Sequence, residues 1–446
     1  MIGKRALAFA SVVMLSLAAC SGGSSASPSG SSGASQSAQG KVLTVWLMNG
    51  SAPTTLVTDL NTEFRKSHPG AVVHYQVQQW DGIVDKLVGA LSSDDPPDVI
   101  EMGNTQTAKF AQSGALQDLT DKRADLGGGT SADSSSADET WLGGLNDSSI
   151  WDGKLFAVPF YAGNRVMIYN KDQFAKAGLD PATITSKDKL IAAAKKLQTT
   201  YSSVADYSGL YIPGQNWYAL MGFIWDEGGA IATNDGGTWK GALETPEAQA
   251  GIQDYVDYYK AGSTGPKDND EQHPEQATVI ANGKAGMMIG NLWEIGTAET
   301  RNPAIIGKLG VFPIPSHTDG KTATVFLGGS NLGIPAGSKN QSLAYDWVKL
   351  MAGEKYQQLM IAAGNVPNSK SLSTSATADN ANLKVEAEAA ANGSKVTPQD
   401  PRWASVESGA NPLKDMMTKI LTGQASVADA AKAADDEIAS RMNTPL

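Results

Sequence analysis

Two hydrophobic periodicities alternate along this chain. Val42-Leu43-Thr44-Val45-Trp46-Leu47-Met48 is a β-rich apolar run closed by the turn pair Asn49-Gly50. The next stretch places Leu56, Leu60 and Phe64 on one helical face and stops at Pro69-Gly70, which predicts a helix over 54–67. A second strand is expected at 71–77 and a second helix where Ile83, Leu87 and Leu91 recur. A third strand follows at Pro97-Asp98-Val99-Ile100-Glu101-Met102, then a short helix over 107–114 that ends on Gly114. Further strands are expected at 155–159, 166–169, 309–313 and 324–334, and further helices at 186–199, 246–261, 341–352 and 427–442. This β-α-β-α-β opening predicts an α/β fold with a mainly parallel sheet covered by helices. Ligands of such sheets sit beyond the C-terminal strand ends. Met48-Asn49-Gly50 and Met102-Gly103-Asn104-Thr105 are therefore candidate ligand loops. The Gly, Ser and Asp-rich stretch 127–139 reads as a solvated excursion, and no internal repeat is evident.

Before the first strand the pattern is different. Lys4 and Arg5 precede an apolar run over 6–17, which leads into Leu17-Ala18-Ala19-Cys20. Positive, apolar and small-residue regions in that order mark a secretory signal. The run falls short of the roughly 20 residues that span a bilayer. The ending resembles the lipobox of bacterial lipoproteins, which implies a signal peptide over 1–20 and a lipid on Cys20, the only cysteine of the chain. Each methylene buried in the membrane contributes about 0.8 kcal/mol to such an anchor. Residues 21–40 are nearly all Ser, Gly, Ala and Gln and read as a flexible linker.

Residues 41–446 are enough for two lobes, with 41% hydrophobic and 18% charged residues overall. A net charge of −11 argues against nucleic acid, whose phosphates need a basic face, and against charge-driven contact with anionic lipid. With no second cysteine, folding rests on packing and not on disulfides.

The segments then meet a family pattern. Phe110-Ala111-Gln112-Ser113-Gly114-Ala115-Leu116-Gln117-Asp118-Leu119 follows Gly103-Asn104. Trp151-Asp152-Gly153-Lys154-Leu155-Phe156-Ala157-Val158-Pro159 leads to Ile168-Tyr169-Asn170-Lys171-Asp172. Gly283-Lys284-Ala285-Gly286-Met287-Met288 precedes Trp293-Glu294, and Ala344-Tyr345-Asp346-Trp347-Val348 opens a late helix. In this order they resemble the extracellular solute-binding proteins of sugar-importing ABC transporters, the group that includes the maltose-binding protein. The resemblance implies a two-lobe periplasmic-binding-protein-like fold with a ligand cleft between lobes joined by crossing segments. The N-terminal lobe is expected at 41–158 plus 314–358 and the C-terminal lobe at 159–313 plus 359–446. Crossings are expected near Val158-Pro159-Phe160, near Phe312-Pro313-Ile314-Pro315, and once more before the C-terminal helices. It also implies a monomeric, non-enzymatic capture protein without cofactor, held on the extracellular face of the cell membrane and partnered by permease subunits.

Sugars present apolar C–H faces and many hydroxyls, so their sites need aromatic platforms and fixed polar groups. Among ten tryptophans, Trp80, Trp217, Trp225 and Trp293 lie beside Gly, Asn, Gln or acidic residues in loop-like contexts. Each has two readings, platform or core, with Trp225 leaning to the core. Trp347 and Trp239 read as structural, and Trp46 stays open. Gly103 and Asn104 match the family's ligand loop, with Thr105 and Gln106 beside them; Asn164 and Arg165 follow the first crossing. Glu294 is placed to accept sugar hydroxyls, and Gly328-Gly329-Ser330-Asn331 is a small-residue loop that lets backbone approach a ligand, with Ser330 and Asn331 as polar contacts. Asn411 is a further candidate.

The segments 101–106 and 213–218 look like those of actinobacterial chitooligosaccharide binders. N,N'-diacetylchitobiose is therefore the first expected ligand, with cellobiose, maltose and trehalose as alternatives. A secreted glycoside hydrolase is the competing class; it needs two carboxylates about 5–10 Å apart, and nothing in the sequence pairs Asp226, Glu227 or Glu294. A cell-wall structural or adhesion lipoprotein is a third class and would not need the two-lobe order. The four histidines show no ligand spacing, and Asp268-Asn269-Asp270-Glu271 reads as a solvated turn.

Overall fold

Val42–Met48 (β1) pairs in parallel with Val72–Gln78 (β2) on one side and Val99–Gly103 (β3) on the other. Leu43, Val45 and Leu47 alternate along β1 and are fully buried, which is the period of a strand with one face on a core. They pack on Leu56, Val57, Leu60 and Phe64 of helix α1 (Thr54–Ser67), the stripe that the spacing of apolar residues predicts. The computed structural model describes residues 41–133, 135–391 and 394–445. The expected signal peptide 1–20, Cys20 and the linker 21–40 lie outside them.

The chain continues through β4 (Ala157–Asn164), β5 (Val166–Asn170), β6 (Ser208–Tyr211), β7 (Ala285–Gly290), β8 (Leu309–Phe312), β9 (Val325–Gly333), β10 (Val366–Pro367) and β11 (Ser394–Lys395). The larger sheet has the order β10-β4-β9-β3-β1-β2, with β11 beside β9; the smaller has the order β8-β5-β7-β6. The larger sheet is mixed where a mainly parallel one was expected. β9 runs antiparallel to both β3 and β4, because β4 carries the chain out toward the smaller sheet and β9 brings it back.

β4 stays paired with β9 as far as Asn164 opposite Leu327, and β5 opens the smaller sheet at Val166. The passage between sheets therefore falls at Arg165, beyond the expected Val158-Pro159-Phe160. The return runs over 313–324, between β8 and β9, and β10 pairs with β4 at the edge of the larger sheet.

Helix α2 (Trp217–Asp226) has no polar face, and it buries Leu220, Phe223 and Ile224 beside Tyr255 and Tyr258 of α3 (Pro246–Lys260). Asn216 caps it by accepting the N–H of Ala219. α4 (Trp293–Arg301) follows β7, and α5 (Gln341–Ala352) buries Trp347, whose Nε1 donates to Asn61 of α1 at 2.8 Å. α6 (Ala381–Ala391), α7 (Trp403–Glu407), α8 (Pro412–Thr422) and α9 (Val427–Met442) complete the chain. Asn411 caps α8 by accepting the N–H groups of Leu413 and Lys414.

The stretch 127–139 is not wholly solvated. Glu139 is buried and pairs with the guanidinium of Arg123, which also lies 4.8 Å over the ring of Trp141. A buried cation needs such a partner, so the excursion is pinned at its end.

Candidate ligand-binding cleft

A cavity of about 640 Å³ opens where strands of both sheets end. Asn49 and Gly50 after β1, Gly103 to Gln106 after β3, Tyr218 after β6, and Asn291, Trp293 and Glu294 after β7 all line it. This is the location that strand ends dictate in α/β folds, and the size lies within the range of about 300–1,000 Å³ of small-molecule sites. The crossing strands form one wall through Tyr161 on β4, Arg165 just after it, and Phe326, Gly328 and Gly329 on β9.

Aromatic surfaces are set by close backbone approach. The half-buried Trp293 lies over Gly163, where a Cβ would come 2.2 Å from its Cζ3, and it meets Tyr161 edge-on at 5.7 Å and 79°. Trp80 and Tyr75 line another part of the wall, half-buried. The rings of Tyr218 and Phe326 lie 4.9 Å apart, and the Arg165 guanidinium sits 4.6 Å over Tyr218 and 5.5 Å over Phe326. Ring faces hold such a cation by its plane and leave the N–H edge for other acceptors.

The polar lining includes the carboxylates Glu271, Glu275 and Glu294 beside the guanidinium of Arg165. Glu294 accepts the N–H of Asn291 at 2.9 Å and the side-chain N–H of Gln276 at 2.7 Å; burial pushes its carboxyl up to about 7. Burial also raises the Glu271 carboxyl, against the opposing pull of Arg165. Glu271 Oε2 and Asn291 Oδ1 are buried without a hydrogen-bond partner. Such orphaned acceptors cost about 1–3 kcal/mol each, so a ligand that brings donors is favoured here. Behind the wall, Glu101 accepts the Met48 N–H at 2.8 Å and the hydroxyls of Ser51 and Ser330 at 2.6 Å each, and burial raises its carboxyl. Glu407 accepts from Thr105 at 3.0 Å and from Trp403 Nε1 at 2.9 Å, tying the loop after β3 to α7; burial pushes it up to about 7.

Residues 49–358 match the family described as bacterial extracellular solute-binding protein. The chain belongs to that family. It is 39% identical over 431 residues, 96% of each chain, to the diacetylchitobiose binding protein DasA of Streptomyces coelicolor. Two solved family folds superpose on it. A solute-binding protein of Thermotoga lettingae, solved with α-D-tagatose, covers 90% of this chain and all of its own at a TM-score of 0.78 and 23% identity. The GacH receptor of Streptomyces glaucescens, solved with and without acarbose, covers 90% of this chain and 98% of its own at 0.75 and 22%. Both carry the two-lobe α/β architecture that the sequence resemblance implies.

Within this family fold the candidate residues separate. Trp80, Gly103, Asn104, Arg165, Trp293 and Glu294 line the cavity together. Asn104 also donates its side-chain N–H to the Leu327 carbonyl at 3.0 Å, which fastens the loop to β9. Trp217 and Trp225 do not line it. They are 4% and 8% exposed, Trp217 against Tyr218 at 4.2 Å and Trp225 stacked toward Phe326 at 6.4 Å, since of the aromatic residues of α2 only Tyr218 reaches the cleft. The small-residue loop is strand β9. Gly329, at φ +133°, faces the cavity, and a Cβ there would meet the Tyr161 carbonyl at 2.3 Å. Ser330 turns to Glu101, and Asn331, past a bulge, donates to Thr107 and Ser148. Asn164 faces the other side of β4. Asp226 holds the 316–324 loop by accepting from Ser316 and from the N–H groups of His317 and Thr324.

Sequence reasoning missed Tyr161, Tyr218, Glu271 and Asn291. The expected solvated turn at 268–271 instead pairs Asp270 with Lys414 at 2.8 Å and turns Glu271 into the cavity. Signals existed for two of them: Tyr218 follows Trp217 in the 213–218 segment, and Asn291 lies two residues before Trp293.

Proposed function

We propose that this protein is the sugar-capturing component of an ABC importer, and that its ligand is N,N'-diacetylchitobiose or a related chitooligosaccharide. The observation that carries the substrate is the 39% identity, along 96% of both chains, with a protein named for binding diacetylchitobiose. The cavity is suited to it. Trp293 and Trp80 offer flat faces for C–H surfaces, Glu271 Oε2 and Asn291 Oδ1 offer acceptors for hydroxyl and acetamido N–H groups, and the Arg165 edge offers donors to a carbonyl.

In this reading one lobe rests on the larger sheet and one on the smaller, in the sequence-based division of 41–158 with 314–358 and 159–313 with 359–446. The first boundary is better set at Arg165, where β4 gives way to β5. A sugar docked against one lobe draws the other onto it, and the closed form is what a permease recognises. The protein performs no chemistry on the sugar; of the three carboxylates weighed for a hydrolase, only Glu294 lines the cavity, and it already accepts from Gln276 and Asn291. A lipid on Cys20 and the 21–40 linker keep a monomer on the outer face of the membrane, raising its concentration near the permease.

Calorimetric titration with diacetylchitobiose, cellobiose, maltose and trehalose tests the reading, with product analysis of each mixture. Tightest binding to diacetylchitobiose and unchanged sugars are expected. Turnover of any of the four would establish a hydrolase, and a tighter fit to another disaccharide would replace the substrate.

A further inference from the structure

The crossing strands carry a cavity on each face. Side chains alternate along a strand. Tyr161 of β4 and Arg165, just past its end, face the front cleft, while Ala162 and Asn164 of β4 face a second cavity of about 310 Å³. On β9, Phe326 faces the front and Leu327 the rear. Val366 of β10, Ala376 of the helix Lys370–Asp379 and Leu383 of α6 close much of the remaining wall. No charged side chain among the described residues lines it, and most of the lining is apolar. Its volume sits at the lower end of the range for small-molecule sites, about 300–1,000 Å³.

One polar atom in this wall is unaccounted for. Asn164 is 5% exposed, and its Oδ1 is buried without a hydrogen-bond partner. Its backbone N–H is already donated to the carboxyl oxygen Oε1 of Glu386. The missing partner is therefore a donor to the side-chain oxygen; the hydroxyls of Ser373, Thr377 and Ser394 line the same cavity, and none of them bonds it. We propose that the rear cavity is a second ligand site, which takes a small uncharged molecule with a compact apolar body and one hydroxyl or N–H donated to Asn164 Oδ1. An apolar body fits the lining, a charge would be stranded there, and the single donor ends the unmet demand of the amide.

The site adjoins Arg165, where the chain passes from one sheet to the other, and shares β4 and β9 with the front cleft. A molecule wedged behind these strands changes affinity in front of them, and by linkage the front ligand changes affinity behind by the same factor. This coupling rests on the reading of the front cleft as a sugar site; the rear site itself does not.

Menthol and menthone test the site on the full chain. They share one carbon skeleton, but menthol donates a hydrogen bond and menthone only accepts. Saturable menthol binding is expected, with menthone weaker by about tenfold. Ala376→Leu fills the cavity and is expected to weaken menthol by at least about tenfold. Should that variant fail to fold by circular dichroism, Ser373→Phe on the same helix takes its place. No saturable menthol binding, equal binding of menthone, or unchanged binding in a folded variant overturns the site. With saturating diacetylchitobiose the menthol Kd is expected to change by at least about fivefold. An equal Kd overturns the coupling. A chain that binds menthol and not the sugar overturns the sugar reading and leaves the rear site standing.

Discussion

The indole of Trp293 lies across Gly163, so close that a Cβ at Gly163 would stand 2.2 Å from its Cζ3 and 3.3 Å from Asn291 Oδ1. One missing side chain on a crossing strand thereby places both an aromatic face and an orphaned acceptor at the cleft.

Gly163→Ala is expected to push the indole out of place and weaken diacetylchitobiose by about tenfold or more, or about 1.4 kcal/mol. Trp293→Ala should weaken it similarly, and the double variant should lose little beyond either single change, since both act on one ring. Calorimetric titration of the three variants checks this; additive losses would show that Gly163 acts elsewhere.

Trp217 and Trp80 are expected to fail in opposite ways. Trp217→Ala empties a core site and should lower unfolding free energy by about 3–5 kcal/mol in denaturant titration. Trp80→Ala, at a half-buried wall position, should leave unfolding nearly unchanged and weaken the sugar. The reverse pattern would place the sugar against α2.

Arg165→Lys keeps the charge and loses the planar group held over Tyr218 and Phe326. The expected result is about tenfold weaker sugar with a similar denaturation midpoint, because a lysine cannot stack or present a fork of donors. Parent-like affinity would mean that only the positive charge matters.

Glu386 gives a pH dependence. Burial pushes its carboxyl from 4.5 up to about 8, against the opposing hydrogen bond from the Asn164 N–H. The native state therefore holds a proton that the unfolded chain releases, and stability from this group falls as pH rises through that window. Glu386→Gln has no such proton to lose. Its stability relative to the parent is expected to improve between about pH 5 and about pH 8, as read by denaturant unfolding at both values. A constant difference would mean that Glu386 ionises normally.

Much of the fold was legible where amphipathic stripes met clear stops. Helices 54–67, 341–352 and 427–442 run as the spacing of apolar residues predicts. α2 was not, because Trp217-Tyr218-Ala219-Leu220-Met221-Gly222-Phe223-Ile224-Trp225 is apolar on every face and carries no helical period to read. Burial of Trp217 and Trp225 in the core of that helix removed both from the cleft, while Tyr218 between them lines it. The strand ends after β1 and β3 were legible as cleft loops because chain direction in an α/β sheet fixes where loops gather. Glu271 was not, since Asp270 beside it is tied to Lys414, far along the sequence, and local context shows only a charged turn. Ser330 and Asn331 were misplaced because a bulge between them alters which face each side chain takes.

A crystal structure of the chain with diacetylchitobiose tests the central claim most directly. One sugar ring is expected against the face of Trp293, with ligand donors about 3 Å from Glu271 Oε2 and Asn291 Oδ1. A sugar bound away from these three groups, or a cleft left empty at saturating sugar, would contradict it.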